Sequence, residues 1–169
     1  PDLRQYQKDA VQAALKGKGC ILRIPTRGGK TLIAAEIIRR LGQRTLFVVT
    51  SDILLRQAAG VFSTVLEGAN VTCISGETGW EDGGDIVVAT VQSLSMRRAT
   101  KEAARQNKTF ALAIFDECHH FSGVLGKAWR ETVMGLRARW KIGLSATVEE
   151  LSSNKPFASA DVWLRGICG

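Results

Sequence analysis

The sequence is poor in several things that common designs need. It has 3 prolines beside 17 glycines, with no repeating pattern, which excludes collagen-like and low-complexity classes. Cys20, Cys73, Cys118 and Cys168 form no CxxC pair, and His119 and His120 are the only histidines. A structural zinc site wants four nitrogen or sulfur ligands in short, clustered spacings. Cys118 beside two histidines is the one candidate, but adjacent residues seldom converge on one ion. Free thiols in a cytosolic protein fit better. The longest apolar run, Phe110–Phe115, falls far short of the roughly 20 residues a membrane span needs. No basic-then-apolar leader opens the chain. The expectation is a protein of the cytoplasm or nucleoid, with no membrane partner.

The 169 residues suit one domain, expected over 1–169, large enough to bury roughly two-thirds of the unfolded surface. A hydrophobic content of 45% excludes disorder. There are 23 Lys+Arg against 16 Asp+Glu, a formal net charge of +7. That balance favours an acidic partner, nucleic acid being the commonest.

Short β-branched and apolar runs alternate with helical patterns. Strands are expected at Cys20–Ile24, Thr45–Thr50, Val71–Ser75, Asp85–Thr90, Phe110–Phe115, Lys141–Ser145 and Asp161–Ile167. Helices are expected at Gln5–Leu15, Lys30–Leu41, Asp52–Leu66, Val91–Gln106 and Trp129–Gly135, and Glu77–Gly84 reads as a surface loop. Strands apolar at nearly every position are buried on both faces, which points to a mostly parallel sheet. The predicted class is α/β, a three-layer, doubly wound twisted sheet with helices on both faces. In that architecture ligands bind beyond the carboxyl ends of the strands.

Two such strand ends carry chemistry. After the first strand, Ile24-Pro-Thr-Arg-Gly-Gly-Lys-Thr31 runs into a helical stretch. A glycine-bearing turn at a helix start exposes unpaired backbone N–H groups and the positive end of the helix dipole. Lys30 can reach β and γ phosphates, and the Thr31 hydroxyl can ligate Mg²⁺. The pattern GxxxxGK[ST] is met at Gly29, Lys30 and Thr31, with Ile24 in place of the first glycine. An ordinary loop is the competing reading. The second strand end is Phe110-Ala-Leu-Ala-Ile-Phe-Asp-Glu-Cys-His-His120. Burying Asp116 and Glu117 side by side is costly without a cation. Mg²⁺ with a nucleotide supplies one: one acid holds the metal and the other accepts a proton from attacking water. The competing reading is a helix start with favourable acids.

Together these elements resemble the first RecA-like domain of superfamily 2 helicases and translocases. Pro25-Thr-Arg-Gly-Gly-Lys-Thr31 is similar to that family's motif I, and Asp116-Glu-Cys-His119 to motif II. Leu3-Arg-Gln-Tyr-Gln7 resembles the adenine-reading Q motif, Val49–Gln57 motif Ia, Ala89–Leu94 motif Ic and Leu144-Ser-Ala-Thr147 motif III. The resemblance implies ATP and Mg²⁺ as cofactors, held by Arg4, Gln7, Pro25, Thr26, Arg27, Gly28, Gly29, Lys30 and Thr31. Thr31 and Asp116 would take the metal, Glu117 would be the general base, and Gln7 would grip the base edge. His119 would link the nucleotide site to motif III, where Ser145, Ala146 and Thr147 couple hydrolysis to movement. A solvated histidine at a helix start is the alternative for His119, and His120 has no assigned chemistry.

Nucleic acid is the implied partner, DNA favoured over RNA, because the Cys-His-His-Phe stretch and Trp140-Lys-Ile-Gly-Leu-Ser-Ala-Thr147 look more like DNA translocases. Thr50, Ser51, Arg56, Thr90, Gln92, Arg97 and Arg98 are the contact candidates. Arg97, Arg98, Lys101, Arg105 and Lys108 have only Glu102 opposing them, and a solvated helix face is their rival reading. Trp129 and Trp140 can stack on bases or pack in the core or at its rim.

Arg27 departs from the family pattern, which usually has Gly there; Gly28 and Gly29 are expected to absorb the change. In the family a second RecA-like domain supplies arginine fingers, worth about 10³–10⁵ in rate. No such domain fits after Thr147, so the chain is expected to be half of a motor with negligible ATPase alone. A nucleic-acid-binding module with a degenerate nucleotide site is the runner-up. A GTPase is disfavoured because Asn154-Lys-Pro-Phe157 lacks the guanine-reading Asp, and a nucleotide kinase has no use for Asp-Glu-Cys-His with Ser-Ala-Thr.

Overall fold

Six short strands, all running in the same direction, build one sheet. The computed structural model describes residues 2–17, 19–76, 83–96, 110–118, 136 and 138–146. The elements are α1 (Gln5–Lys16), β1 (Gly19–Arg23), α2 (Lys30–Leu41), β2 (Thr45–Val49), α3 (Asp52–Val65), β3 (Val71–Ile74), β4 (Ile86–Thr90), α4 (Val91–Met96), β5 (Leu112–Phe115) and β6 (Trp140–Ser145). The strand order is β1-β6-β5-β2-β4-β3, and every pairing is parallel.

The burial of each strand follows its place in that order. The central strands β5, β2 and β4 are buried at every position, while β1 and β3 at the edges are mostly half-buried. Side chains alternate between two cores, as the period of two dictates. Phe47, Val49, Ile86, Val88, Leu112 and Ile114 face α1, α2 and α3. Leu46, Val48, Val87, Ala89, Ala113 and Phe115 face the other way, toward Val91 and Leu94 of α4, Cys118 and Leu136. Phe47 meets Phe62 of α3 edge-on, ring centroids 4.9 Å apart. The α/β class and the helix-covered parallel sheet are as expected. No helix among the described residues is long and apolar enough to cross a membrane.

The differences are at element ends. Phe110 and Ala111 precede β5 instead of opening it. There Ala111 N–H and Leu112 N–H both turn to Arg44 O, and the Arg44 guanidinium covers the Phe110 ring at 4.7 Å. The helix expected over 91–106 is described as far as Met96. The helix at 129–135, the strand at 161–167 and most of the loop at 77–84 lie outside the described residues.

The order also divides the carboxyl edge. β1, β6 and β5 are neighbours, so the ends at Arg23, Ser145 and Phe115 lie together. β2, β4 and β3 place Val49, Thr90 and Ile74 together on the other half.

Candidate nucleotide site and neighbouring groove

On leaving β1 the chain makes a tight turn. Gly28 N–H donates to Pro25 O at 2.8 Å, and Arg27, the third residue of the turn, has φ 62°. A positive φ at that position alone is the type II pattern, which ordinarily selects Gly. The expectation that Gly28 and Gly29 absorb the substitution is therefore corrected: Arg27 adopts the left-handed conformation itself. Gly28 has no slack to offer. A Cβ there would lie 2.7 Å from Ile24 Cγ2 and 2.8 Å from Pro25 O. The exposed Arg27 side chain meets no such obstacle. Gly29, at φ 76°, then caps α2, and Ile33 N–H reaches back to Gly29 O at 3.0 Å. The first turn of α2, starting at Lys30 and Thr31, presents backbone amides with no intrahelical acceptor.

α1 braces this loop. Gln7 Nε2 and Tyr6 Oη each donate to Gly28 O at 3.0 Å, and Gln7 Oε1 accepts from Arg4 N–H at 2.9 Å. Gln7 is buried, at 6% exposure. Its carboxamide holds the loop and the start of α1. Arg4 is exposed at the N-cap of α1, and Pro25 and Thr26 are exposed on the loop. Tyr6 was not among the expected site residues; its place one residue before Gln7, on the same helix turn, was the available signal.

The acids arrive from β5. Asp116 N–H continues the ladder to Val48 O at 2.9 Å, and Asp116 Oδ1 accepts from Glu117 N–H at 3.0 Å. Glu117 leaves the strand with φ 50°. Lys30 Nζ forms an ion pair with Glu117 Oε1 and lies 4.0 Å from Asp116 Oδ1. The three charged residues expected to act together are thus brought together from α2 and the end of β5. Burial pushes the Asp116 carboxyl above the usual range, opposed by Lys30 and aided by the neighbouring Glu117 charge. Cys118 turns inward, and burial followed by the two acids pushes its thiol up to about 12. Its sulfur sits 3.0 Å from where a Cβ on Gly143 would lie, so β6 needs glycine there.

Ser145 is buried at the end of β6, and its carbonyl accepts from Ile24 N–H at 2.9 Å, joining the expected coupling segment to the phosphate loop. Ala146 is half-buried beside it. His119 and Thr147 lie outside the described residues. Among the described residues no group of three or more His, Cys, Asp or Glu converges. Two carboxylates beside a helix-start threonine fit Mg²⁺, which is usually bound through one or two carboxylates, waters and substrate phosphates. Thr31 is half-buried at the start of α2, where it was expected.

On the other half of the edge, Thr50, Ser51, Asp52, Gly76, Thr90, Gln92 and Ser93 line a groove of about 650 Å³. Four of the expected nucleic-acid contacts are here. Two of their hydroxyls have structural duties: Ser51 Oγ accepts from Leu54 N–H at 3.4 Å as the N-cap of α3, and Thr90 Oγ1 bonds Ser93 Oγ at 2.8 Å. Thr90 is buried, whereas Gln92 is exposed. Arg56 is exposed on α3, outside the groove lining. Arg97, Arg98 and the rest of the basic run, with Trp129, lie outside the described residues. Trp140 packs at the rim of the core on β6, with the Arg139 guanidinium 4.5 Å over its ring.

A glycine-rich loop between strand and helix, facing a carboxylate pair at the end of a parallel strand one place further along the sheet, defines a RecA-like P-loop domain. The chain belongs to the family described as type III restriction enzyme, res subunit, whose model matches residues 1–150. It is 29% identical over 148 residues to the DNA 3'-5' translocase XPB2 of Sulfurisphaera tokodaii, covering 88% of this chain and 31% of that protein. It is 31% identical over 159 residues to the type I restriction enzyme EcoAI endonuclease subunit of Escherichia coli, covering 87% of this chain and 19% of that one. The crystal structure of the UvsW helicase from bacteriophage T4 superposes with a TM-score of 0.78 at 24% identity, covering 100% of this chain and 59% of that chain. That likeness shows the RecA-like fold. The chain spans 31% of the translocase and 19% of the endonuclease subunit.

Proposed function

We propose that this chain is the ATP-binding first RecA-like domain of an ATP-dependent helicase or translocase acting on nucleic acid, DNA in preference to RNA. The observation that carries the reading is the meeting of Lys30, beyond the end of β1, with Asp116 and Glu117 at the end of β5, across the intervening β6. Lys30 exchanges its pairing with Glu117 for the β and γ phosphates, aided by the amides at the start of α2. That exchange releases the Glu117 carboxylate to accept a proton from water. Asp116 and Thr31 would hold Mg²⁺, which when bound would supply positive charge against that developing on the phosphates. Ser145, Ala146, Thr147 and His119 carry the state of this site onward, and a second RecA-like domain completes it with arginine.

The groove beyond β2, β4 and β3 is the proposed path of the nucleic-acid backbone, with Thr50, Ser51, Thr90 and Gln92 at its lining; Arg56, Arg97 and Arg98 are the further contact candidates. Contacts to phosphate and sugar suit movement along any sequence. The preference for DNA is supported by one relative named as a DNA translocase and one named as a restriction enzyme subunit. A structural neighbour at TM-score 0.72, a Sulfolobus solfataricus SWI2/SNF2 ATPase core in complex with dsDNA, agrees with it. The decisive experiment is Mg·ATP binding with and without Lys30→Ala. Loss of about 1.5–3 kcal/mol of binding is expected for a charged hydrogen-bond partner. Binding indifferent to Lys30 would leave the chain as a nucleic-acid-binding module with a degenerate site. Filter binding of single- and double-stranded DNA and RNA ranks the substrates.

A further inference from the structure

Two side chains of α1 converge on one backbone atom. Tyr6 Oη and Gln7 Nε2 both donate to the Gly28 carbonyl oxygen, each at 3.0 Å. Two donors use both lone pairs of that oxygen. The remaining polar group of Gly28, its N–H, closes the turn onto Pro25 O at 2.8 Å, and its Cα has no room for a side chain. Gly28 is therefore held on every side, between Arg27 at φ 62° and Gly29 at φ 76°. A left-handed arginine persists where its surroundings over-determine it. Gln7 has a second duty at the start of α1, where its Oε1 accepts from Arg4 N–H. Tyr6 is 41% exposed, so burial of its ring explains little of its presence.

We propose that Tyr6 is a positioning residue for phosphate binding. Its phenol holds the Gly28 carbonyl toward α1 and so sets the direction of the amides at Gly29 and in the first turn of α2. The inference rests on the nucleotide reading above and adds a specific property to it. Part of the affinity contributed by α1 is independent of the base, because it passes through the loop backbone to the phosphates.

Tyr6→Phe removes the hydroxyl and keeps the ring. The test is calorimetric titration of the whole chain with Mg·ATP and with Mg·tripolyphosphate, which has no base. Both are expected to weaken by the same factor, about 3–10-fold, the range for one lost hydrogen bond. The melting midpoint is expected to stay in place, while the Gly28 and Gly29 amide resonances move and those of β2 do not. Unchanged tripolyphosphate affinity overturns the proposal, and so does a loss confined to ATP, which would put Tyr6 at the base. A lowered midpoint with unmoved Gly28 and Gly29 resonances also overturns it, since that is a general loss of stability. If wild-type binding ignores Lys30→Ala, the nucleotide reading fails and this inference falls with it. Lys30-dependent binding with an unaffected Tyr6→Phe sinks the role of Tyr6 alone.

Discussion

At the β1–β6–β5 end of the carboxyl edge, the charged side chains of Lys30, Asp116 and Glu117 crowd together beside backbone held left-handed at Arg27, Gly29 and Glu117. At the β2–β4–β3 end, hydroxyls, a carboxamide and the single acid Asp52 line an open groove, and the hydroxyls of Ser51, Thr90 and Ser93 are already occupied with helix starts. The first arrangement is costly. It buries an acid, as the raised Asp116 carboxyl records, and it holds an arginine in a glycine conformation. Such cost is worth carrying where one compact, highly charged ligand must be held in a defined position. The second arrangement costs little and offers uncharged polar groups over a wide surface, which suits a polymer whose repeating units are equivalent. One sheet edge thus carries a strained, charge-dense cluster beside an open groove.

The sharpest way to break this comparison uses one glycine from each half. A Cβ on Gly28 would press on Ile24 and Pro25 at under 3 Å, whereas a Cβ on Gly76 in the groove would meet nothing within 4 Å. Gly28→Ala is expected to lower unfolding stability by roughly 1–3 kcal/mol, as overpacking does. Gly76→Ala is expected to stay within about 0.5 kcal/mol of wild type. Urea titration of both variants decides it: equal midpoints would end the distinction between a tight half and an open one. A smaller effect of opposite sign is expected at Arg27. Arg27→Gly relieves the left-handed strain but adds chain entropy to the unfolded state, for a net gain of about 0.5–1 kcal/mol. A variant no more stable than wild type would mean that the left-handed arginine stores no strain.

These contrasts explain what the sequence disclosed. The parallel sheet was legible because β2, β4 and β5 are apolar at nearly every position, and burial on both faces leaves that mark. The phosphate loop and the acid pair were legible because each follows an apolar strand directly. The order β1-β6-β5-β2-β4-β3 was not, since nothing local to a strand names its neighbour. It is that order which gathers Lys30, Asp116 and Ser145 on one side and Thr50 and Thr90 on the other. The bracing of the loop by Gln7 and Tyr6 was not legible for the same reason. Their partner, Gly28 O, lies more than twenty residues away and is a backbone atom without a sequence signature. Thr90 was expected to face a ligand, but a threonine at a strand end is equally suited to bonding the helix start that follows it.

The two least effects measure what ordinary surface chemistry contributes on either side. Ser51→Ala removes the α3 cap, whose 3.4 Å contact is long, so about 0.5 kcal/mol is expected, with Mg·ATP affinity unchanged. A fall in ATP affinity would show that the two halves are coupled through β2. On α2, behind Lys30, Glu36 accepts from Arg39 at 2.7 and 2.8 Å and from Arg40 at 2.7 Å. The hydrogen bond from Arg39, opposed by partial burial and joined by Arg40, holds its carboxyl down at about 2. A carboxyl depressed in the folded state stabilises above its unfolded pKa, and that contribution fades as pH falls from the mid-fours toward 2. Solvent screens the pair, so Glu36→Gln is expected to cost no more than about 0.5 kcal/mol at pH 7. The gap between the two proteins should narrow steadily through that acid window in thermal melts. A gap that persists at pH 2, or one much larger at neutral pH, would show that Glu36 supports the phosphate-loop helix by more than a screened ion pair. The strained, charge-dense half would then extend along α2 beyond Lys30.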